Sequence, residues 1–395
     1  MKELLTYKEN YKNELLNNVI PFWEKFSPDR EFGGYFTCLD RQGNVFDTDK
    51  FMWLQGREVW FFSMIYNCIE KRQQWLDMAM LGANFMQKYG TDDNGNWYFS
   101  LTREGKPLVQ PYNIFSDCFA CMGFAELYKA TLDETYKNIA MKTFRSIQAR
   151  SSNPKGLYNK MYQGTRPLKS FALPMILCNL SLILEDIIGK EEVDKAVIPL
   201  IQEIMDEFYQ KDYGLILENI APDGSFIDCF EGRLVNPGHI NEAVWFMLDI
   251  SEKCNNTELM HKAIDILLRS INYGWDEQYG GIFYFKDIKG HPTQQLEWDQ
   301  KLWWVHIETL IALAKGYKFT GNKLCLEWFT KIHDYTWTHF RDNEFPEWYG
   351  YLTRQGEPLL TLKGGKWKGC FHVPRGLFQL WKTLEEIEEK YQGNL

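Results

Sequence analysis

A short motif, in most copies opened by glycine, recurs six times along the 395-residue chain, and its spacing constrains the fold more than any other feature. The copies are GGYFTCLDRQG (33–43), GNWYFSLTREG (95–105), GLYNKMYQG (156–164), GLILENIAPDG (214–224), GGIFYFKDIKG (280–290) and YGYLTRQG (349–356). With Gly34, Gly95, Gly156, Gly214, Gly281 and Tyr349 as markers, the steps are 61, 61, 58, 67 and 68 residues. Each copy is a brief alternating segment closed by a turn signal such as DRQG, PDG or TRQG, which predicts a small hairpin or extended loop.

A long apolar-periodic stretch follows each motif, for example IFSDCFACMGFAELYKA, NPGHINEAVWFMLDISEK and KLWWVHIETLIALAKGYK. These are helices apolar around most of their circumference, so they must be covered on nearly all sides. More amphipathic stretches such as KAIDILLRSINYGW run between them and suit an outer layer. Six buried helices alternating with six amphipathic ones predict an all-α fold, an (α/α)6 barrel, with short hairpins in the loops at one end. No Pro/Gly/Ser linker interrupts the pattern, so residues 1–395 read as a single domain.

Composition narrows the function. A net charge of −9 with no long basic run argues against nucleic acid and anionic membrane as partners, and leaves a neutral small molecule compatible. No stretch approaches the ~20 apolar residues that span a bilayer. The N-terminal MKELLTYKENYKNELLNNVIPFWEKF lacks the apolar core of a signal peptide, and a soluble, cytoplasmic protein is expected. The 9 cysteines have no scaffold-like spacing, and Cys118 and Cys121 sit in an apolar helical run, where they read as buried structural thiols.

Residues at matching offsets from the markers should face a common cavity. Arg57, Asn179, Trp304 and His372 each lie 23 residues after their marker, Asp117 lies 22 after, and His239 25 after. Five of these six are polar, in helices that are otherwise apolar, and a polar ring in an apolar wall is the signature of a ligand pocket. Asn236 and Pro237 place His239 in a first helical turn, where the helix dipole is expected to keep its imidazole neutral. Glu242 lies three residues on, on the same face. Pro374 likewise places His372 at a helix mouth and Arg375 in the first turn. Trp304 and Glu308 share a face, and of Trp304 and His306 we expect the tryptophan to face the cavity. His261, His291, His333 and His339 are expected to be ordinary surface or capping residues. Trp303, Trp304, Phe115, Asn179 and Asp117 are the expected sugar-binding residues. HINE offers His and Glu at i and i+3, but no HExxH and no second HxxE complete a ligand set, so no metal is expected.

Two histidines, carboxylates and arginines, without a nucleophile motif or phosphate loop, suit proton transfer at carbon. Removing the C2 proton of an open-chain aldose leaves an enediolate, which needs a cation at the carbonyl oxygen, the role assigned to Arg57. Inverting C2 needs removal on one face and delivery on the other, a task for His239 and His372 from different helices. Two other classes stay open: an inverting glycoside hydrolase using Asp117 with Glu308 or Glu347, and a non-catalytic sugar- or protein-binding module.

The blocks WLQGREVW, NPGHINEAVWF, PTQQLEWDQKLWWVHIETLIA, EWYGYLTRQG and KGGKWKGCFHVPRG are similar to those of the N-acylglucosamine 2-epimerase (renin-binding protein) family, across all six repeats. The resemblance implies an (α/α)6 barrel and interconversion of N-acetylglucosamine and N-acetylmannosamine, in N-acetylmannosamine or sialic acid metabolism. It places the family's arginine on Arg57, its acid/base histidines on His239 and His372, and supporting residues on Glu242, Glu308 and Arg375. Cellobiose or mannose 2-epimerases and aldose–ketose isomerases share the barrel and are the alternative chemistry. The resemblance also implies a homodimer, and ATP as an activator that is not consumed. GYKFTGNK has the wrong spacing for a phosphate loop and lacks its ending.

Overall fold

A computed structural model of the chain describes residues 2–155, 162 and 164–392, which leaves the third marker, Gly156, outside the described residues. The chain enters through α1 (Lys2–Glu14), a π-turn and α2 (Ile20–Phe26). Helix pairs follow: α3 (Met52–Cys68) with α4 (Gln73–Tyr89), and α5 (Phe115–Thr131) with α6 (Glu134–Arg150). Next come α7 (Ala172–Ile183) with the short α8 (Glu185–Ile188) and α9 (Lys190–Glu203), then α10 (Pro237–Lys253) with α11 (Thr257–Gly274). The chain ends with α12 (Trp303–Thr320), α13 (Lys323–His339) and α14 (His372–Gln392).

Helices α3, α5, α7, α10, α12 and α14 form the inner ring, each packed on the next in that order and backed by its outer partner. Their all-round apolarity has the expected consequence: every residue of α12 from Trp303 to Gly316 is buried. The outer partner of α14 is α1, so the two ends of the chain together complete the sixth pair. The architecture is the expected (α/α)6 barrel. Close packing between α3 and α5 depends on glycine, because a Cβ on Gly56 would come within 2.6 Å of the Phe119 backbone.

The hairpins gather at the end where the inner helices begin, and among the described residues they tie neighbouring units together. Lys50–Phe51, just ahead of α3, pairs antiparallel with Ser100–Leu101 of the second motif. Leu234–Val235 ahead of α10 pairs with Lys286–Asp287, and Lys301–Leu302 ahead of α12 with Tyr351–Leu352. The circle closes where Leu39 of the first motif exchanges backbone hydrogen bonds with Lys363 and Gly364, ahead of α14. Turn glycines recur because the hairpin tips need a left-handed residue, and some tips also press on the outer layer: Gly356 has φ +91°, and a Cβ there would lie 2.7 Å from the His339 ring.

Buried charge reinforces these joins at three places. Asp29 accepts hydrogen bonds from Lys50 and Arg103, Asp276 from Lys301 and Arg354, and Asp342 from Lys363 and Arg41. In each set the lysine precedes an inner helix and the arginine comes from the neighbouring hairpin turn, so the sequence repeat carries its own electrostatic clasp. Among the described residues no helix is long and apolar enough to cross a membrane. Cys118 and Cys121 are buried in α5 and unpaired.

Candidate active site

The hairpin end of the barrel opens into a cavity of about 640 Å³. Eight of the residues singled out from sequence line it: Arg57, Phe115, His239, Glu242, Trp303, Trp304, His372 and Arg375. Helix starts explain the placement. Asn236 caps α10, its side chain accepting from the His239 amide at 3.2 Å, and Pro237 holds the first helical position. His372 is the first residue of α14, and Phe371 just before it accepts from the Arg375 amide at 2.7 Å.

A charged cluster forms one side. Nδ1 of His372 lies 2.7 Å from Oε1 of Glu308, and Arg375 Nη2 donates to Glu308 and to Glu242, each at 2.6 Å. Trp245 Nε1 donates to the other oxygen of Glu308 at 2.8 Å. Glu308 thus receives three donors, and as an acceptor it fixes the His372 proton on Nδ1, leaving the Nε2 lone pair for the cavity. Glu242, Glu308 and His372 bring their ligand-type atoms within 4.8 Å of one another, and the cation between the two carboxylates is Arg375. Burial lowers the Arg375 pKa, but Glu308 and Glu242 outweigh it and the guanidinium is held charged.

The second imidazole also stands beside Trp304. The Trp304 ring centroid is 5.1 Å from that of His239 and 5.9 Å from that of His372. Nδ1 of His239 sits 3.0 Å from Glu218, which orients it as Glu308 orients His372. The two rings are shifted in opposite directions. Burial and then the Arg57 cation hold His372 well below the ordinary histidine range, whereas at His239 burial is outweighed by the Glu218 carboxylate and the pKa is raised. Burial thus favours the neutral imidazole at His372, whereas at His239 the Glu218 carboxylate works against the helix dipole that favours the neutral form there.

Arg57 is gripped by three aromatic faces, its guanidinium carbon 4.4 Å from the Trp53 ring, 3.9 Å from Phe119 and 4.5 Å from Phe371. Its Nε has no hydrogen-bond partner, and burial lowers its pKa to about 9, so it remains a cation at neutral pH with donor capacity unspent.

The remaining expectations fall elsewhere. Asp117 is turned to the outer layer, where Arg150 donates to it at 3.0 Å, and Asn179 lies well along α7, buried and clear of the cavity. A fixed count from the marker does not give a fixed helical position, because the intervening loops differ in length. Glu347 is fully buried and off the cavity lining, accepting from Trp23 and Lys368. The carboxylate pairs of Asp117 with Glu308 or Glu347 thus do not face one sugar, which removes the hydrolase reading. His306 lies between layers as expected, its Nε2 accepting from the Ile282 amide at 3.0 Å. His333 is no surface residue: it is buried on α13, 2.6 Å from the Tyr11 hydroxyl. Glu218 and Trp245 escaped the sequence reading; an acid inside the alternating GLILENI segment was the available signal for the first.

The sequence pattern of the N-acylglucosamine 2-epimerase (GlcNAc 2-epimerase) family matches residues 34–373. The chain is 39% identical to the N-acylglucosamine 2-epimerase of Mus musculus, over 98% of this chain and 94% of the relative. It is 39% identical to the human N-acylglucosamine 2-epimerase, over 95% and 89% of the two chains. The fold is also that of the cellobiose 2-epimerase of Spirochaeta thermophila, with a TM-score of 0.84, 18% identity and 98% of each chain covered. With its barrel, its cavity and these likenesses taken together, the chain belongs to the N-acylglucosamine 2-epimerase family.

Proposed function

We propose that the protein interconverts N-acetylglucosamine and N-acetylmannosamine by proton transfer at C2. The observation that carries this reading is the pair of carboxylate-oriented imidazoles, their pKa values shifted in opposite directions, lining a single cavity beside Trp304. Two titratable groups with pKa values driven apart are a ready acid and base.

In this reading the sugar binds as its open-chain aldehyde. Nε2 of the neutral His372 takes the C2 proton, and the C–H electron pair forms the C1=C2 bond while the carbonyl electrons move to O1. The resulting enolate of the 2-acylamino sugar carries its charge on O1, beside Arg57. Protonated His239 then delivers a proton to the opposite face of C2, and the carbonyl reforms. The pair starts and ends with one proton, so the reverse reaction uses the same residues with roles exchanged. Glu308 and Glu218 orient the rings, and Arg375 holds Glu308 and Glu242 in place.

The family likeness supports a cytoplasmic homodimer in sialic acid metabolism, and activation by ATP. GYKFTGNK does not fit a phosphate: it is the α12–α13 turn, with Gly321 left-handed and Asn322 capping α13. No step here is routed through a nucleotide.

Incubation with N-acetylmannosamine and detection of N-acetylglucosamine tests the reading. Conversion by the wild type and its loss in both His239→Ala and His372→Ala is expected. Full activity in both variants would refute it.

A further inference from the structure

The cavity wall is chemically lopsided. Helices α10, α12 and α14 bring His239, Glu242, His372 and Arg375 to one side, with the buried Glu308 behind His372 and Arg375, whereas α7 contributes only Ala172, Met175 and Ile176, with Phe115 of α5 beside them. Those α7 side chains offer no hydrogen-bond donor or acceptor. A hexose hydroxyl placed there loses its water partners without replacement, which is costly in a buried site. Of the groups on a 2-acylamino sugar, only the acyl carbon chain suits such a wall.

Position agrees with chemistry. Helix α7 adjoins α10 in the inner ring, so the apolar wall lies on the His239 side of the cavity. The acylamino group hangs from C2, the carbon that must sit between the imidazoles, and a substituent on C2 is the one able to reach the next helix. Met175 is an unbranched, adaptable side chain, suited to bound a pocket that takes more than one chain length.

We infer that Ala172, Met175 and Ile176 form the acyl subsite, and that they set which N-acyl hexosamines are turned over, longer acyl chains than acetyl included. This rests on the epimerase reading and deepens it. The inference gives a sequence-local control of specificity: removing bulk at Met175 lengthens the accepted chain, and adding bulk at Ala172 shortens it.

The test compares kcat/KM for N-propanoylmannosamine and N-acetylmannosamine in wild type, Met175→Ala and Ala172→Leu. One buried methylene corresponds to about fourfold. The propanoyl-to-acetyl ratio is expected to rise by about fourfold or more in Met175→Ala and to fall by as much in Ala172→Leu. A general loosening of the fold would scale both substrates together and leave the ratio alone, and if one variant fails to fold, the other decides. Ratios within about twofold of wild type, in an enzyme that does epimerise N-acetylmannosamine, would overturn the subsite and leave the epimerase reading intact. A wild type inactive on every N-acylhexosamine would overturn the parent reading and this inference with it.

Discussion

Glu308 accepts from Nδ1 of His372 at 2.7 Å, joining the base of the proposed reaction to a carboxylate that is itself fully buried. The same oxygen takes the Arg375 hydrogen bond. Glutamine at this position keeps the shape but halves the acceptor capacity, so it cannot serve both donors and Trp245 as well. Glu308→Gln is expected to lower kcat by about 10²- to 10³-fold with little change in KM, because orientation of the base matters most in the transition state. Steady-state kinetics in both reaction directions check this.

The pH profile follows from the two imidazoles. His372, lowered by burial and Arg57, works as a base above its pKa; His239, raised by Glu218 against the effect of burial, works as an acid below its own. The pair carrying one proton is the active form in both directions, and it exists between the two values. The profile of kcat/KM is therefore expected to be flat through pH ~6.5 and to fall as pH rises through the His239 value. Glu218→Gln removes the raising charge, and the falling limb should move to lower pH while the acid limb stays. Profiles of the wild type and this variant read both shifts.

Much of this was legible in the sequence, for identifiable reasons. The repeat and the all-round apolarity of the inner helices dictate the barrel, since a helix such as α12 has no solvent-tolerant face to expose. Pro237 and Pro374 mark helix starts, which fixed where His239 and His372 would sit. The counts that included Asp117 and Asn179 crossed loops of unequal length, and helical phase is lost across a loop. Glu218 reaches His239 from a hairpin, a contact between elements that no local pattern encodes. The upward shift of His239 depends on that same contact, so it could not be read from the helix dipole alone.

The clasps between units give a stability prediction. Burial pushes the Asp342 carboxyl up, but hydrogen bonds from Arg41 and Lys363 prevail and hold it well below the usual carboxylate range. Lys363 is fully buried, so Asp342→Asn leaves an uncompensated cation in the joint that closes the ring. A loss of about 3–5 kcal/mol is expected from urea unfolding at pH 7. A carboxyl lowered in the folded state contributes above its unfolded value of ~3.8 and loses that contribution as pH falls further, so the gap between wild type and variant should narrow only in strong acid.

The central claim is that two imidazoles act on opposite faces of C2. Conversion of N-acetylmannosamine in deuterated water, stopped early, tests it most directly by the isotope at C2 of both sugars. The N-acetylglucosamine formed should carry solvent deuterium while the recovered N-acetylmannosamine does not, since one histidine removes the proton and the other supplies its replacement. Product without deuterium, or equal labelling of product and recovered substrate, would contradict the account.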